Sequence, residues 1–239
     1  MLDVADVPVG ESALLVIDAQ NSFKATTRWD RRNNRSFEEN VGALVNAYRG
    51  ARLPIFYFLH TDNDPGFKVG DPFYKLMAFL DPRPNEPVIH KNTRNCFTST
   101  GLQSMLLERR VRRLAITGIQ MEQCCETTAR VAADLGYAVD FVMDGTMTFP
   151  IPHASHPGEE LGVAAIEERT TYVLQRRFAR VVDTRTLIGE VEGCTTLTPR
   201  RQEQSPGVRC DGSNTSMASP SMSLHHLTTH ANDGAVTQW

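Results

Sequence analysis

Nowhere in this chain of 239 residues does an apolar run approach the roughly 20 residues needed to cross a bilayer. The first apolar run, ALLVI at 13 to 17, is short and ends in Asp18, so it reads as neither a membrane span nor a secretory leader. Cysteine is sparse: five residues at irregular spacings, with no Cys-x-x-Cys pair, argue against a disulfide framework and for free thiols in a reducing cytoplasm. Charge of one sign is lacking as well. A formal net charge of −3 with scattered basic residues offers no field to draw nucleic acid or an anionic membrane, which leaves small molecules, as substrate, or proteins as the expected partners. What is present is 41% hydrophobic residues, enough for one sizeable core and short for two.

Apolar runs of strand type occur at 13–19 (ALLVIDA), 54–60 (PIFYFLH), 87–91 (PVIHK), 113–119 (RLAITGI), 138–144 (AVDFVMD) and 177–183 (RFARVVD). Helical spacing appears between them, in FEENVGALVNAYRGA, TGLQSMLLERRV, CCETTARVAADLG and GEELGVAAIEERTTYVL. Near-continuous apolar strands alternating with amphipathic helices predict an α/β fold with a mostly parallel sheet covered on both faces. The long irregular stretches at 24–35 and 61–81 are candidate pocket walls. After about Glu190 periodicity stops and Ser, Thr, Pro, Gly and Asn dominate. The expectation is a domain over residues 1–190 and a disordered tail over 191–239, whose His225, His226 and His230 lack the partners of a metal site.

In a parallel α/β sheet, ligands bind beyond the carboxyl ends of the strands, so polar residues there are the ones to inspect. Asp18 ends the first strand, Lys91 the third, and Cys124 follows the fourth after a turn. A cysteine at a helix start sits in the positive end of the helix dipole, and a nearby lysine would further favour its thiolate. An aspartate close to both could take the thiol proton and later return it to a leaving group. The competing explanation is that cysteine commonly just fills space. Adjacent helical residues point about 100° apart, so Cys124 and Cys125 cannot both face the strand ends.

DAQNSF at 18–23, the strand-ending Lys91, and GIQMEQCCETTARVAADLGY at 118–137 resemble the three signature segments of the isochorismatase-like cysteine hydrolase superfamily. The likeness runs from about residue 11 to 185. It implies a three-layer α/β/α sandwich with a mostly parallel, Rossmann-like central sheet, and a catalytic triad of Asp18, Lys91 and Cys124. Counting from the family glycine, here Gly118, the nucleophile falls on Cys124, while Cys125 stands where a small apolar residue is usual. A cis peptide at Ile119–Gln120 is also implied, with the backbone N–H groups of Gln120 and Cys124 forming an oxyanion hole.

Retention of a cysteine at 124 favours hydrolysis of a C–N bond in a small amide, ureido, carbamoyl or maleamate-like compound. Relatives that cleave the vinyl ether of isochorismate commonly carry a non-nucleophilic residue there. An idle member serving as an interaction or oligomerisation module is a further alternative. Nicotinamidases carry a metal-binding Asp-x-His in the loop after the second strand, whereas this chain has His60-Thr61-Asp62, the reverse order, and no second histidine follows in that loop. Neither a metal nor another cofactor is therefore expected. Gln20, Phe23, Trp29, His60, Arg94 and Asn95 are the substrate-binding candidates, with Arg28 beside Trp29. The family likeness further implies a homo-oligomer.

Overall fold

The computed structural model describes residues 4–197 of the chain. Six parallel strands form the central sheet in the order β3-β2-β1-β4-β5-β8. They are β1 (Ser12–Ile17), β2 (Ile55–His60), β3 (Val88–Lys91), β4 (Arg113–Ile119), β5 (Ala138–Met147) and β8 (Arg180–Val182). A separate antiparallel pair, β6 (Ile151–Pro152) and β7 (Glu160–Leu161), makes a small hairpin. Helices α1 (Phe37–Gly50), α2 (Leu102–Glu108), α3 (Glu126–Asp134), α4 (Val163–Leu174) and α5 (Thr184–Leu197) complete the fold.

Alternation along β1 shows why the sheet needs cover on both sides. Ala13, Leu15 and Ile17 enter one core with Leu102 and Leu106 of α2 and Ala129 and Ala132 of α3. Leu14 and Val16 enter the other, with Phe37, Val41 and Leu44 of α1 and Leu187 and Val191 of α5. Every residue of β1, β2 and β4 is buried, as expected of strands sandwiched between two helical layers. Helix α1 turns Phe37, Val41, Leu44, Val45 and Tyr48 inward at helical spacing, with Glu38 and Glu39 in its first turn and Arg49 in its last, each suiting the local dipole. The architecture is the α/β/α sandwich.

Three elements depart from the periodicity. Residues 158–161 continue no helix: Glu160 and Leu161 pair with the strand at 151–152, and α4 starts only after Gly162. The last strand begins at Arg180 rather than 177, because Arg177, Phe178 and Ala179 each give their N–H to Leu174 O in the turn closing α4. Helix α5, which the periodicity did not mark, runs from Thr184 to Leu197 and crosses the expected domain boundary at 190. Val191 is fully buried there, and Glu190 bonds Arg113 and Arg180, both of which also hold buried Asp140. The rest of the expected tail, from residue 198, lies outside the described residues. No described helix is long and apolar enough to cross a membrane.

The chain passes from β1 outward to β2 and β3, then returns to the far side of β1 as β4. That reversal opens a crevice at the carboxyl ends of β1 and β4. Because Val191 is in the core, Val191→Ala should lower unfolding stability by about 2 kcal/mol in a denaturant titration. An unchanged midpoint would show that the core ends at residue 190.

Candidate active site

Asp18 follows directly on β1 with φ 50°, in the left-handed region that aspartate tolerates better than most residues. It is fully buried. Lys91 closes β3, two strands away from β1, a separation of about 10 Å at ordinary strand spacing. Its long stem crosses the end of β2, where Lys91 is in register with His60, and brings Nζ to 2.8 Å from Asp18 Oδ2. Nζ also reaches Thr93 O at 3.2 Å, Arg94 O at 3.3 Å and His60 Nδ1 at 3.4 Å. The ammonium is thereby enclosed by acceptors.

Cys124 arrives from the other side of the switch point. Gly118, near the end of β4, has φ 128°, and a Cβ there would sit 1.9 Å from Ile17 O, so only glycine lets β4 close so tightly on β1. The Ile119–Gln120 peptide is cis. Residues Met121–Cys125 then form one wide π-type turn ahead of α3, and Cys124 O accepts from Thr128 Oγ1 at 2.6 Å. The Cys124 sulfur, a carboxylate oxygen of Asp18 and a ring nitrogen of His60 lie within 4.8 Å of one another.

The electrostatics differ from the sequence expectation of a resting thiolate. Burial pushes the Cys124 thiol up to about 12; the Asp18 carboxylate pushes in the same direction and Lys91 opposes both. Cys124 sits in the π-type turn, 4% exposed, so loss of hydration outweighs the help of a helix start. The free protein therefore holds a thiol. Burial, the largest influence on Lys91, disfavours its ammonium, yet the Asp18 carboxylate raises it above the ordinary lysine value. Asp18 Oδ2 is committed to Lys91, whereas buried Oδ1 has no hydrogen-bond partner among the described residues. The carboxylate can accept a proton on Oδ1 while Oδ2 keeps its hydrogen bond from Lys91.

His60 is lowered by burial first and by Lys91 next, which keeps it neutral. His60 Nδ1 lies 3.4 Å from Lys91 Nζ, while Nε2 lies between Asp62 Oδ2 at 3.2 Å and Arg94 Nη1 at 3.1 Å, so the ring bridges a carboxylate and two cations. Asp18, His60 and Cys124 are the one described group whose donor atoms converge as metal ligands would. Lys91 already bonds Asp18 and approaches His60 Nδ1, so a metal there would have to displace a buried cation that the same donors hold.

Asp18, His60 and Cys124 line a cavity of about 190 Å³ together with Phe23, Arg28, Asp62, Asp64, Phe67, Arg94, Gln120 and Gln123. Among the substrate-binding candidates, Phe23, His60 and Arg94 reach it. Gln20 does not: its side chain bonds both backbone groups of His60 and Ser22 Oγ, tying β1 to β2. Trp29 lies under the Arg32 guanidinium, 4.4 Å from its ring centroid, and meets Phe149 at a tilt of 47°. Asn95 caps its own turn through Phe97 N and Thr98 N. Asp62, Asp64 and Phe67 were not among the candidates, although all three lie in the long stretch at 61–81. Cys125 and Cys96 are fully buried in the apolar core, and burial raises both thiols.

A cysteine beside a buried ion pair at a strand-end crevice of a parallel sheet is the arrangement the α/β/α sandwich presents. The comparisons narrow this to one family: residues 12–185 match the isochorismatase domain, and the chain belongs to the isochorismatase family of hydrolases. The isochorismatase family protein YrdC of Bacillus subtilis is 25% identical over 182 residues, covering 75% of this chain and 96% of that one. Streptothricin hydrolase of Streptomyces noursei is 32% identical over 144 residues, 59% of this chain and 51% of the hydrolase. Ureidoacrylate amidohydrolase of Variovorax paradoxus is 32% identical over 108 residues, 45% of this chain and 38% of the enzyme. Among solved structures, an isochorismatase-family hydrolase from Chromobacterium violaceum superposes with a TM-score of 0.72 at 26% identity, covering 78% of this chain and 96% of that one.

Because the thiol is raised, alkylation of Cys124 by iodoacetamide, followed by mass spectrometry, should be slow at neutral pH. Its rate should keep climbing beyond the ordinary thiol range near pH 8.5. Asp18→Asn removes a charge that opposes ionisation and should speed the reaction at every pH; an equal or slower rate would contradict the assigned electrostatics.

Proposed function

We propose that this chain is a cysteine amidohydrolase that cleaves a C–N bond in a small, carboxylate-bearing amide, ureido or carbamoyl compound through a thioester. The reading rests above all on one observation, the meeting of Cys124 and Asp18 in the wall of a small cavity, with Lys91 bonded to Asp18 Oδ2 and Asp18 Oδ1 left without a partner among the described residues. A cavity of about 190 Å³ lies below the roughly 300 Å³ typical of drug-sized ligands, which favours a substrate of few atoms. Arg28 and Arg94 in its wall suit a carboxylate, and an amidohydrolase among the relatives accords with amide chemistry.

In the first half-reaction the Cys124 proton passes to Asp18 as the sulfur attacks the substrate carbonyl. The developing oxyanion is held by the backbone N–H groups of Gln120 and Cys124. Collapse breaks the C–N bond, and the proton held by Asp18 moves to the departing nitrogen. Asp18 next takes a proton from water, whose oxygen attacks the thioester. Expulsion of the sulfur and return of that proton to it regenerate the thiol and release a carboxylic acid. Lys91 remains a cation throughout and stabilises whichever of its anionic neighbours carries charge. A thiol that ionises only on substrate arrival suits this cycle, since one carboxylate serves as base and then acid.

A screen of small amides, ureides and carbamoyl acids for ammonia release tests the proposal. Cys124→Ser should lower turnover about a thousandfold or more, whereas Cys125→Ser, in the core, should keep most of it. Asp18→Asn, whose side chain tolerates the same backbone conformation, should lose about 10²- to 10⁴-fold. Equal loss in folded Cys124→Ser and Cys125→Ser, or no Cys124-dependent turnover on any compound, would defeat the reading.

A further inference from the structure

A second concavity lies at the opposite end of the sheet. It measures about 490 Å³ and is lined by Arg49, Arg52, Arg83 and Arg109, with the apolar wall Leu53, Pro54 and Ile55, and with Asn85 and Glu86. Ile55 begins β2 and His60 ends it, so the cleft is separated from the Cys124 cavity by a strand length on the order of 16 Å. Four arginines and one glutamate line this space in a chain whose formal net charge is −3.

The single carboxylate is fully used. Glu86 accepts from Arg49 Nε at 2.8 Å and Arg49 Nη2 at 2.7 Å, and also from Arg83 N at 2.9 Å and Tyr57 OH at 3.3 Å. Arg49 Nη2 further bonds Asp81 O at 2.6 Å. These bonds make a rigid, buried floor and leave the other guanidiniums uncompensated. The side chains of Arg52 and Arg83 have no carboxylate partner among the described residues. Arg109 rests on the Phe56 ring, 5.4 Å from its centroid, with Nη1 on Met105 O at 3.0 Å, and so retains further donors. Arg52 occupies the left-handed region at φ 58°, where a long side chain is disfavoured relative to glycine. Like charges gathered around one cleft repel, and an anion placed among them reverses the sign of that interaction.

We propose that this cleft binds a small organic anion carrying a phosphate group, with the phosphate on Arg52, Arg83 and Arg109 and the organic part against Leu53, Pro54 and Ile55. A phosphate monoester carries about −1.5 to −2 at neutral pH, which matches several uncompensated guanidiniums better than a lone carboxylate, and its oxygens fit the arginine fork. The volume falls within the range of small-molecule sites, and the apolar wall gives an organic group something to cover. The inference stands independently of the chemistry assigned to Cys124.

Isothermal titration of the full chain with adenosine 5′-monophosphate, ribose 5-phosphate, adenosine, ribose and inorganic phosphate tests it. At least one phosphorylated compound should bind saturably and more tightly than inorganic phosphate, its unphosphorylated counterpart should not bind, and affinity should fall as salt is raised. Arg52→Gln combined with Arg83→Gln should weaken binding about tenfold or more while the thermal midpoint stays near the parent's. Cys124→Ala should bind as the parent does. No saturable binding by either phosphorylated probe, tighter binding of inorganic phosphate, or parental affinity in the folded double variant would overturn the proposal.

Discussion

The Lys91–Asp18 ion pair, with both side chains fully buried, is the interaction on which the strand-end site depends. Two charges taken out of water cost several kcal/mol each before their attraction is counted, and removing one partner of such a pair typically costs about 3 to 5 kcal/mol. The chain meets that demand with backbone: Thr93 O and Arg94 O curl around the ammonium, and the ring of His60 takes the remaining side. The loop after β3 is therefore shaped by a charge. His60 in turn is held towards its neutral form by burial and then by the cation it faces, and its position is held by Gln20 bonding the backbone of the same residue.

The pair also determines what Cys124 can be at rest. Beside an ionised Asp18 and out of contact with bulk water, a thiolate has more opposing it than Lys91 offsets, so the proton remains on sulfur. Nucleophile and base together then share one proton, which the substrate carbonyl and oxyanion donors can draw across in the proposed reaction. The aromatic wall of Phe23 and Phe67, whose ring centroids are 5.0 Å apart, restricts water around that proton.

Much of this was legible in the sequence, and for identifiable reasons. Strands at 13–17, 55–60 and 113–119 were readable because strands buried on both faces must be continuously apolar. Asp18, Lys91 and Cys124 were selected by position at strand ends, though their mutual distances came only from the strand order that brings β3, β1 and β4 together. What could not be read depended on tertiary partners. Gln20 looked like a pocket residue because polarity at a strand end does not distinguish a ligand contact from a bond to the next strand. The hairpin at 151–152 and 160–161 is too short for any period to register. Helix α5 continues past residue 190 because Leu187, Glu190 and Val191 have partners on the sheet and beside α1, while the composition there already resembles that of the tail. The raised thiol was missed because helix position is visible in a sequence and desolvation is not.

The protonation state of Cys124 in the free enzyme tests the account most directly. Infrared difference spectra of the parent against Cys124→Ala at neutral pH isolate the S–H stretching band of this one residue, and ultraviolet thiolate absorbance gives the complementary reading. A buried thiol beside Asp18 predicts a clear S–H band and no Cys124-dependent thiolate absorbance until well above the ordinary thiol range. Thiolate absorbance at neutral pH with no S–H band would contradict it.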